Sequence, residues 1–505
     1  MTVPRFRSRA RLSVQLLEGR DVPNGTITAS LSPTGVLTLT GDDDDNAVSL
    51  QLNSGTSVVL TPDGATQINT AAVGNAVTLN GTVKSIKANL LGGADTVSID
   101  GAADFIVPGS VSLNLGDGNN TLNLTTTGKI TLTGLTVTGG DGLDTINVSG
   151  GTGSTIGGMA KFTLGNGGTV TNLTGVGFSG VSFTAGEAAG DGVTEPTNSV
   201  VGTNLTVTKT FTAGLGNGNP SALDFTGSTL GGLKVSGTSV VSSLTTTQVN
   251  GSVAYKATFG VAVLGNGLTV TGNVGVTAAN ASFGAIDVGA VTISGNLSVT
   301  GSLVTTTDFE STAPSEVKGN LTVKGGLGND EFIASSTFKA DKNFTLSLGG
   351  GNNTVSIGDG SAVLSIGGKG SITTGDGIDS VSFSDVSWGG PITLSLKGGG
   401  DLLSIDDGTA FHSTFTADTG AGDDTISIAQ DTGSTAPVTF TGKAKITAGT
   451  GNDSLFLGLA QLTGGDANSK AVFGDPTSVV DGGLGLNFFD STSAQFTGVA
   501  PVNWQ

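Results

Sequence analysis

Cysteine is absent from the 505 residues, so neither a disulfide framework nor a thiolate metal site exists. A single histidine, His412, excludes chemistry that needs two imidazoles, including most zinc hydrolase sites. Charge is scarce, at 12% of residues, about half the usual share of a soluble domain. Aromatics make up 5%, and no stretch of 18 apolar residues occurs, so the chain offers no membrane-spanning helix. The strong helix formers arginine and glutamate are nearly missing from the body of the chain. Arg5, Arg7, Arg9, Arg11 and Arg20 are the only arginines, and 34 of the 40 acids are aspartate. A long chain without helix formers reads as strands and turns.

What is abundant supports that reading. Glycine supplies 85 residues, but without a triplet period and with only 12 prolines, which excludes collagen. The 36% hydrophobic share argues against plain disorder. Aspartate suits turns, because its short side chain bonds nearby N–H groups. The net charge of −19 repels nucleic acid and anionic membrane and attracts divalent cations.

A corner motif recurs: Gly-x-Gly-x-Asp/Asn followed by x-Φ-x-Φ, with Φ apolar. Gly140-Asp141-Gly142-Leu143-Asp144-Thr145-Ile146-Asn147-Val148 is one copy and Gly420-Ala421-Gly422-Asp423-Asp424-Thr425-Ile426-Ser427-Ile428 another. The key Asp/Asn positions are 95, 120 and 144, then 330, 353, 379, 401, 424 and 453. A sandwich has no reason to repeat one corner at such intervals; a solenoid does. The expected fold is an all-β, right-handed parallel β-helix or β-solenoid with about 23 residues per coil, roughly 20 coils stacked at ~4.8 Å.

Five segments are expected. Residues 1–24 form a basic targeting segment. Residues 25–150 and 321–457 are Asp-bearing coils, and 151–320 are Asp-poor coils with loops near 187–196 and 308–318. Residues 458–505, rich in Phe, form a C-terminal cap. In the Asp-poor stretch the corners become Gly-Asn, as at Gly295-Asn296 and Gly319-Asn320.

Two resemblances follow from these residues. Leu17-Glu18, Arg20 and Val22-Pro23 after a basic stretch resemble the N-terminal signature of many predicted surface and secreted proteins of planctomycete bacteria. That resemblance implies export and an extracellular or cell-surface location. The Gly-x-Gly-x-Asp corner resembles half of the nonapeptide of RTX-type, haemolysin-like calcium-binding proteins, in which carboxylates and backbone carbonyls of adjacent turns bind Ca²⁺. This chain departs from the pattern, because its copies recur every 22 to 29 residues and Asn stands at 120 and 353. The resemblance implies calcium as cofactor, with Asp95, Asp144, Asp330, Asp376, Asp379, Asp401, Asp423, Asp424 and Asp453 as ligands.

Stacked coils in register would place such carboxylates about 5 Å apart along one edge, where each neighbour costs ~1 kcal/mol in water. Bound cations, Asn interruptions or splaying into solvent would each relieve that repulsion; simple turn chemistry would also account for an Asp at each corner. Asp42 to Asp45 form a denser acidic loop of the same kind. For an enzyme, the best local grouping is Asp401, Asp406, Asp407 and His412, serving a polysaccharide lyase or glycoside hydrolase. The body of the chain holds no arginine for an acidic sugar and few aromatic platforms. The expected function is therefore a non-catalytic extracellular repeat protein, structural or adhesive, stabilised by calcium. Its partners would be glycans or cell-envelope components, with neither nucleic acid nor a membrane span.

Overall fold

Alternating Thr/Ser and Val/Ile/Leu residues have one use for their two faces. The apolar set turns inward and the hydroxyl set outward. In the computed structural model Thr425–Ile428 does this in its shortest form, with Ile426 and Ile428 buried and Thr425 and Ser427 half-buried. The structure describes residues 25–505 except 54, 188–197, 218–220, 279–282, 303–304, 310–313, 335–337, 361–362, 432–435, 459–469 and 491–495, and gives backbone only at 259–264, 283–289 and 306–309. The basic head 1–24 and nearly all of the loop expected at 187–196 therefore lie outside the described residues. Every element among those described is a β-strand.

The chain winds as a β-solenoid of stacked parallel coils of about 24 residues. In the C-terminal half each coil holds three short strands. Ser380–Ser384, Val386–Trp388 and Ile392–Ser395 pair in parallel with Leu402–Asp406, Ala410–Phe411 and Phe415–Asp418 of the next coil. The first of the three sheets runs without a break from Thr96 through Thr121, Thr145, Val170, Ser199 and Ala222. It continues through Val241, Ala262, Ala285, Thr306 and Glu331, and then through Thr354, Ser380, Leu402, Thr425 and Ser454 to Phe488.

The start of the chain is built differently. Thr26–Leu31 pairs antiparallel with Val36–Thr40, and Ser57–Pro62 pairs antiparallel with both Ala47–Asn53 and Val77–Asn80. Apart from the short parallel pair of Thr26 and Ile27 with Gln67 and Ile68, parallel stacking begins where Ser85–Asn89 and Thr96–Gly101 add to these hairpins. Hairpins in place of coils over this stretch leave the stack with fewer coils than the roughly 20 expected from length alone. They also cover the first coil, so its edge is not an open template.

Two further stretches differ from the sequence reading. Part of the loop expected at 308–318 is strand, since Thr306–Phe309 and Ser315–Val317 join the stack. The residues beyond 458 still follow the coil: Ala471–Phe473 and Phe488–Phe489 pair in parallel with strands of the preceding coil. The last residues fold back on that coil, where Trp504 donates its indole N–H to the carbonyl of Val480 at 3.3 Å.

The core is one continuous column of Val, Ile, Leu and Phe. Its largest member, Trp388, is fully buried, meets Phe344 and Phe383 edge-to-face, and donates to the carbonyl of Gly368 at 3.0 Å. Each such side chain contributes about 1.5–3 kcal/mol through burial.

Candidate functional site: the aspartate corner

The corner that carries the Gly-x-Gly-x-Asp motif joins the third strand of one coil to the first strand of the next. Gly399 and Gly422 adopt φ of +139° and +137°, and a Cβ on Gly422 would stand 1.6 Å from the carbonyl oxygen of Gly399 in the coil before it. Only glycine allows both the left-handed turn and that approach.

After the turn the key Asp or Asn stands at the entry to the strand, in Asp144 as its first residue and otherwise just before it, and its side chain points inward. Asn46, Asp95, Asn120 and Asp144 are 0% exposed, and Asp330, Asn353, Asp379, Asp401, Asp424, Asp453 and Asn487 are 1% exposed. The reading of these acids as an edge of carboxylates is corrected here: they form a buried column. All but Asn46 and Asp144 link two coils through Oδ1, which accepts a main-chain N–H of the coil before; Asp144 accepts the side-chain amide of Asn120 instead. Asn46 donates to Asp95 at 2.7 Å, Asp95 to Asn120 at 3.0 Å and Asn353 to Asp379 at 2.7 Å. Asp379 donates to Asp401 and Asp401 to Asp424, both at 2.8 Å. Asp424 donates to Asp453 and Asp453 to Asn487, both at 3.0 Å. A turned corner leaves that N–H without the carbonyl a straight strand would supply, and the side-chain oxygen replaces it.

The second carboxyl oxygen fares differently. In Asp95, Asp144, Asp379, Asp401, Asp424 and Asp453, Oδ2 is buried without a hydrogen-bond partner. Asp330 is the exception, since its Oδ2 accepts from Gly326 at 3.0 Å and Gly349 at 3.3 Å. Desolvation pushes Asp95 and Asp401 up to about 7 and Asp144 up to about 6, and raises Asp330, Asp424 and Asp453 as well.

The remaining two expected ligands, Asp376 and Asp423, are exposed on the outside of the same corner. Asp376 stacks in register on Gly398, Ala421, Thr450 and Leu484, none of them an acid. Asp423 accepts the N–H of Asn452 at 2.8 Å, as Asp117 accepts that of Asp141 at 2.9 Å. A third column lies at the Gly-Asn corner, where Asn296 donates its main-chain N–H to the side chain of Asn273 and Asn320 to that of Asn296, both at 2.8 Å. The acidic loop at 42–45 ties the hairpins to the first coil, with Asp42 accepting from Thr26 at 2.9 Å and Asp45 from Ala94 at 2.7 Å.

Calcium takes six to eight oxygens, and the corner does not assemble them. Asp95 lies between Asn46 and Asn120, and Asp144 between Asn120 and Thr169, so neither has a second ladder carboxylate beside it. From Asp379 to Asp453 each residue has already given one oxygen to an N–H. Among the described residues no group of three or more His, Cys, Asp or Glu side chains is placed to hold a metal ion. These residues do not fit a calcium ion.

The grouping considered for catalysis separates in the same way. Asp401 directly precedes the strand Leu402–Asp406 that Asp406 ends, which puts them about 16 Å apart at the usual rise per residue. Asp401 is buried in the ladder, while Asp406 accepts from the hydroxyl of Ser404 and from the N–H of Gln430 at 2.8 Å. His412 is exposed and shares a hydrogen bond with Ser387 at 3.2 Å. Asp406 and Asp407 instead face other acids at their own corner. Burial first, then Asp407 and Asp359, raises Asp385, and burial, Asp406 and Asp407 raise Asp431.

A groove of about 500 Å³ lies over Gly153–Gly157, Gly175–Ser179, Asn204, Thr206 and Thr208, with no titratable side chain in its lining. Sequence reasoning missed the inward direction of the aspartates, although their phase relative to Φ carries it: Asp144, Ile146 and Val148 alternate on one face. Comparison with protein-family models, with curated proteins and with solved structures returns no match.

Proposed function

We propose that the chain is a non-catalytic structural rod of the extracellular face, which presents flat hydroxyl- and amide-lined sheets to glycans or other cell-envelope components. The observation that carries this reading is the use made of the polar side chains. The corner aspartates and asparagines are spent on coil-to-coil hydrogen bonds inside or along the rod. On the outer face, Asn147 donates to Asn123 at 2.8 Å and Asn172 to Asn147 at 2.9 Å, giving a bonded row flanked by Thr121, Thr145 and Val170 on one side and Thr125, Ser149 and Thr174 on the other. Such a surface is regular, uncharged and rich in donors and acceptors, which suits repeated contact with hydroxylated polymers. The basic head with its Leu17-Glu18, Arg20 and Val22-Pro23 supports export.

Two measurements test the proposal. Fractionation of the producing cell is expected to place the chain outside the cytoplasmic membrane, and removal of residues 1–24 to retain it inside. The purified chain is expected to co-sediment with insoluble cell-envelope polysaccharide and to leave it intact. Turnover of any polysaccharide that is lost on Asp406→Asn or Asp407→Asn would replace the structural reading with an enzymatic one.

A further inference from the structure

In every buried ladder carboxyl except that of Asp330, one of the two oxygens lacks a partner. In Asp95, Asp401 and Asp453 one oxygen accepts the N–H of the preceding coil, and in Asp144 it accepts the side-chain amide of Asn120 at 3.1 Å. The other oxygen of all four is buried and unpaired.

Asparagines in the same position show what surrounds that oxygen. Nδ2 of Asn120 donates to the carbonyls of Gly116 and Gly118, both at 3.0 Å. Nδ2 of Asn353 donates to those of Gly349 at 3.3 Å and Gly351 at 3.2 Å, and Nδ2 of Asn46 to those of Asp42 at 3.3 Å and Asp44 at 2.7 Å. In these three the acceptors stand two and four residues upstream; at the last coil Nδ2 of Asn487 donates to the carbonyls of Gly482 and Asn503 instead. The wall of the slot is shared too: a Cβ on Gly41 would lie 2.9 Å from Nδ2 of Asn46, and one on Gly139 would lie 1.9 Å from Oδ2 of Asp144. Carbonyl lone pairs line this slot, so it is built for a hydrogen-bond donor. A carboxylate there would bury a charge with no proton between it and two carbonyl oxygens.

We infer that Asp95, Asp144, Asp401 and Asp453 are held as neutral carboxylic acids, each donating its O–H to a corner carbonyl as the asparagine amide does, so that the rod tightens in acid and loosens as the medium passes neutral. Burial is the main cause that raises all four. The charged groups that face them are acids and act in the same direction: Asp45 and Asp42 at Asp95, Asp117 at Asp144, Asp379 and Asp424 at Asp401, and Asp423 at Asp453. The N–H bonds from neighbouring coils oppose the shift without cancelling it. Asp379 differs in taking both the main-chain and the side-chain N–H of Asn353 on one oxygen, and Asp424 in having the hydroxyl of Thr419 beside it.

The direction of the pH effect follows. An unfolded aspartate ionises near 3.9, whereas folded Asp144 does so at about 6 and Asp95 and Asp401 at about 7. Between those limits the folded chain binds more protons than the unfolded one. The stabilising contribution is complete below about pH 4 and is lost as the pH rises through 6 and 7.

Thermal midpoints of the full chain, measured with chelator at pH 5 and pH 8, test this. The unaltered chain is expected to melt roughly 5 °C or more lower at pH 8. The double variant D95N/D401N is expected to melt above it at pH 8 and to lose much of the difference, because an amide carries its donor at every pH. D376N removes one charge from the exposed side of the same corner and is expected to keep the full difference, which separates protonation of the slot from relief of general repulsion. Infrared difference spectra are expected to show the C=O stretch of a protonated carboxyl near pH 5.5, weaker in D95N/D401N. A double variant that melts below the unaltered chain at pH 8, an unchanged pH difference in it, or stabilisation at pH 8 by millimolar Ca²⁺ would overturn the proposal.

Discussion

Two regions of the rod close the same corner by different means. From Leu321 to Leu457 every described strand is two to five residues long, the chain turns sharply between strands, and the corner position is Asp or Asn. Between Asp144 and Val270 the strands Asp144–Leu164, Thr169–Ala185, Thr229–Thr245 and Val253–Val270 run for 17 to 21 residues, with register shifts where they pass a bend. Along that stretch the inward corner position goes from Asp144 to Thr169, Asn198 and Ser221 and then to Val240, all of them buried. Asp144 and Thr169 still follow glycine turns, whereas Thr229–Thr245 stays in β-conformation through the corner and keeps ladder pairing across it, so an apolar Val240 can occupy the position. A chain that turns sharply frees an N–H into the interior and needs a side-chain acceptor there. The aspartates are therefore a property of the sharp corner and not of coil stacking as such.

The strongest break in that comparison comes from glycine. Gly422→Ala places a Cβ 1.6 Å from the carbonyl oxygen of Gly399 at a φ of +137°, so two coils must part. A loss of about 3 kcal/mol or more is expected, read from denaturant or thermal unfolding of the full chain. Gly275 lies within the strand Val274–Ala278, where an added Cβ meets nothing within 4 Å. Gly275→Ala is expected to leave stability unchanged or raise it by about 0.5 kcal/mol, because it restricts the unfolded chain without straining the folded one. Equal losses at both sites would mean that the sharp corner makes no greater backbone demand than the interior of a strand.

A smaller contrast separates the two kinds of polar corner. Asp401→Ala strips the acceptor from the buried N–H of Asp379, which has no water to turn to, and a cost of about 1–3 kcal/mol is expected. Ser221→Ala removes one O–H bond to the carbonyl of Leu215 at 3.0 Å while Ser221 remains in register with Val240. About 1 kcal/mol or less is expected there. Hydrogen exchange at Asp379 checks the mechanism directly, since its N–H is expected to lose protection in Asp401→Ala ahead of neighbouring strands.

The coil was legible because its causes are local. Glycines at fixed spacing mark the turn, and x-Φ-x-Φ marks the strand that follows, as in Gly422-Asp423-Asp424-Thr425-Ile426-Ser427-Ile428. The direction of the aspartate was legible in principle as well. Asp424 stands two residues before Ile426 and four before Ile428, which puts it in the buried phase of the alternation, and Asn120 and Asn353 place an uncharged isostere in the same slot. The association of aspartate with solvent-facing turns obscured that phase. The hairpins before Ser85 were not legible, because Thr26–Leu31 and Ala47–Asn53 alternate just as coil strands do; only pairing across the fold makes them antiparallel. Nor was the grouping of Asp385 with Asp407 and Asp359, which depends on three coils lying in register.

The smallest expected effect isolates what makes the aspartate slot special. Asn296 serves the Gly-Asn corner as Asp401 serves the other, with its side-chain oxygen accepting the N–H of Asn320 at 2.8 Å. It differs in being exposed, so the oxygen that bonds Asn320 shares its surroundings with water. Asn296→Asp keeps the acceptor and exchanges an amide for a carboxylate that solvent can stabilise. Its ionised form is therefore expected to cost less than about 0.5 kcal/mol, with the same small change in midpoint at pH 5 and at pH 8. The inner ladder is expected to respond in the opposite way, with Asp401→Asn raising the midpoint at pH 8 far more than at pH 5. If Asn296→Asp produced a pH dependence as large as that of the buried column, enclosure of the carboxyl could not be its cause. The source would then lie in the repulsion among stacked acids that the whole rod shares.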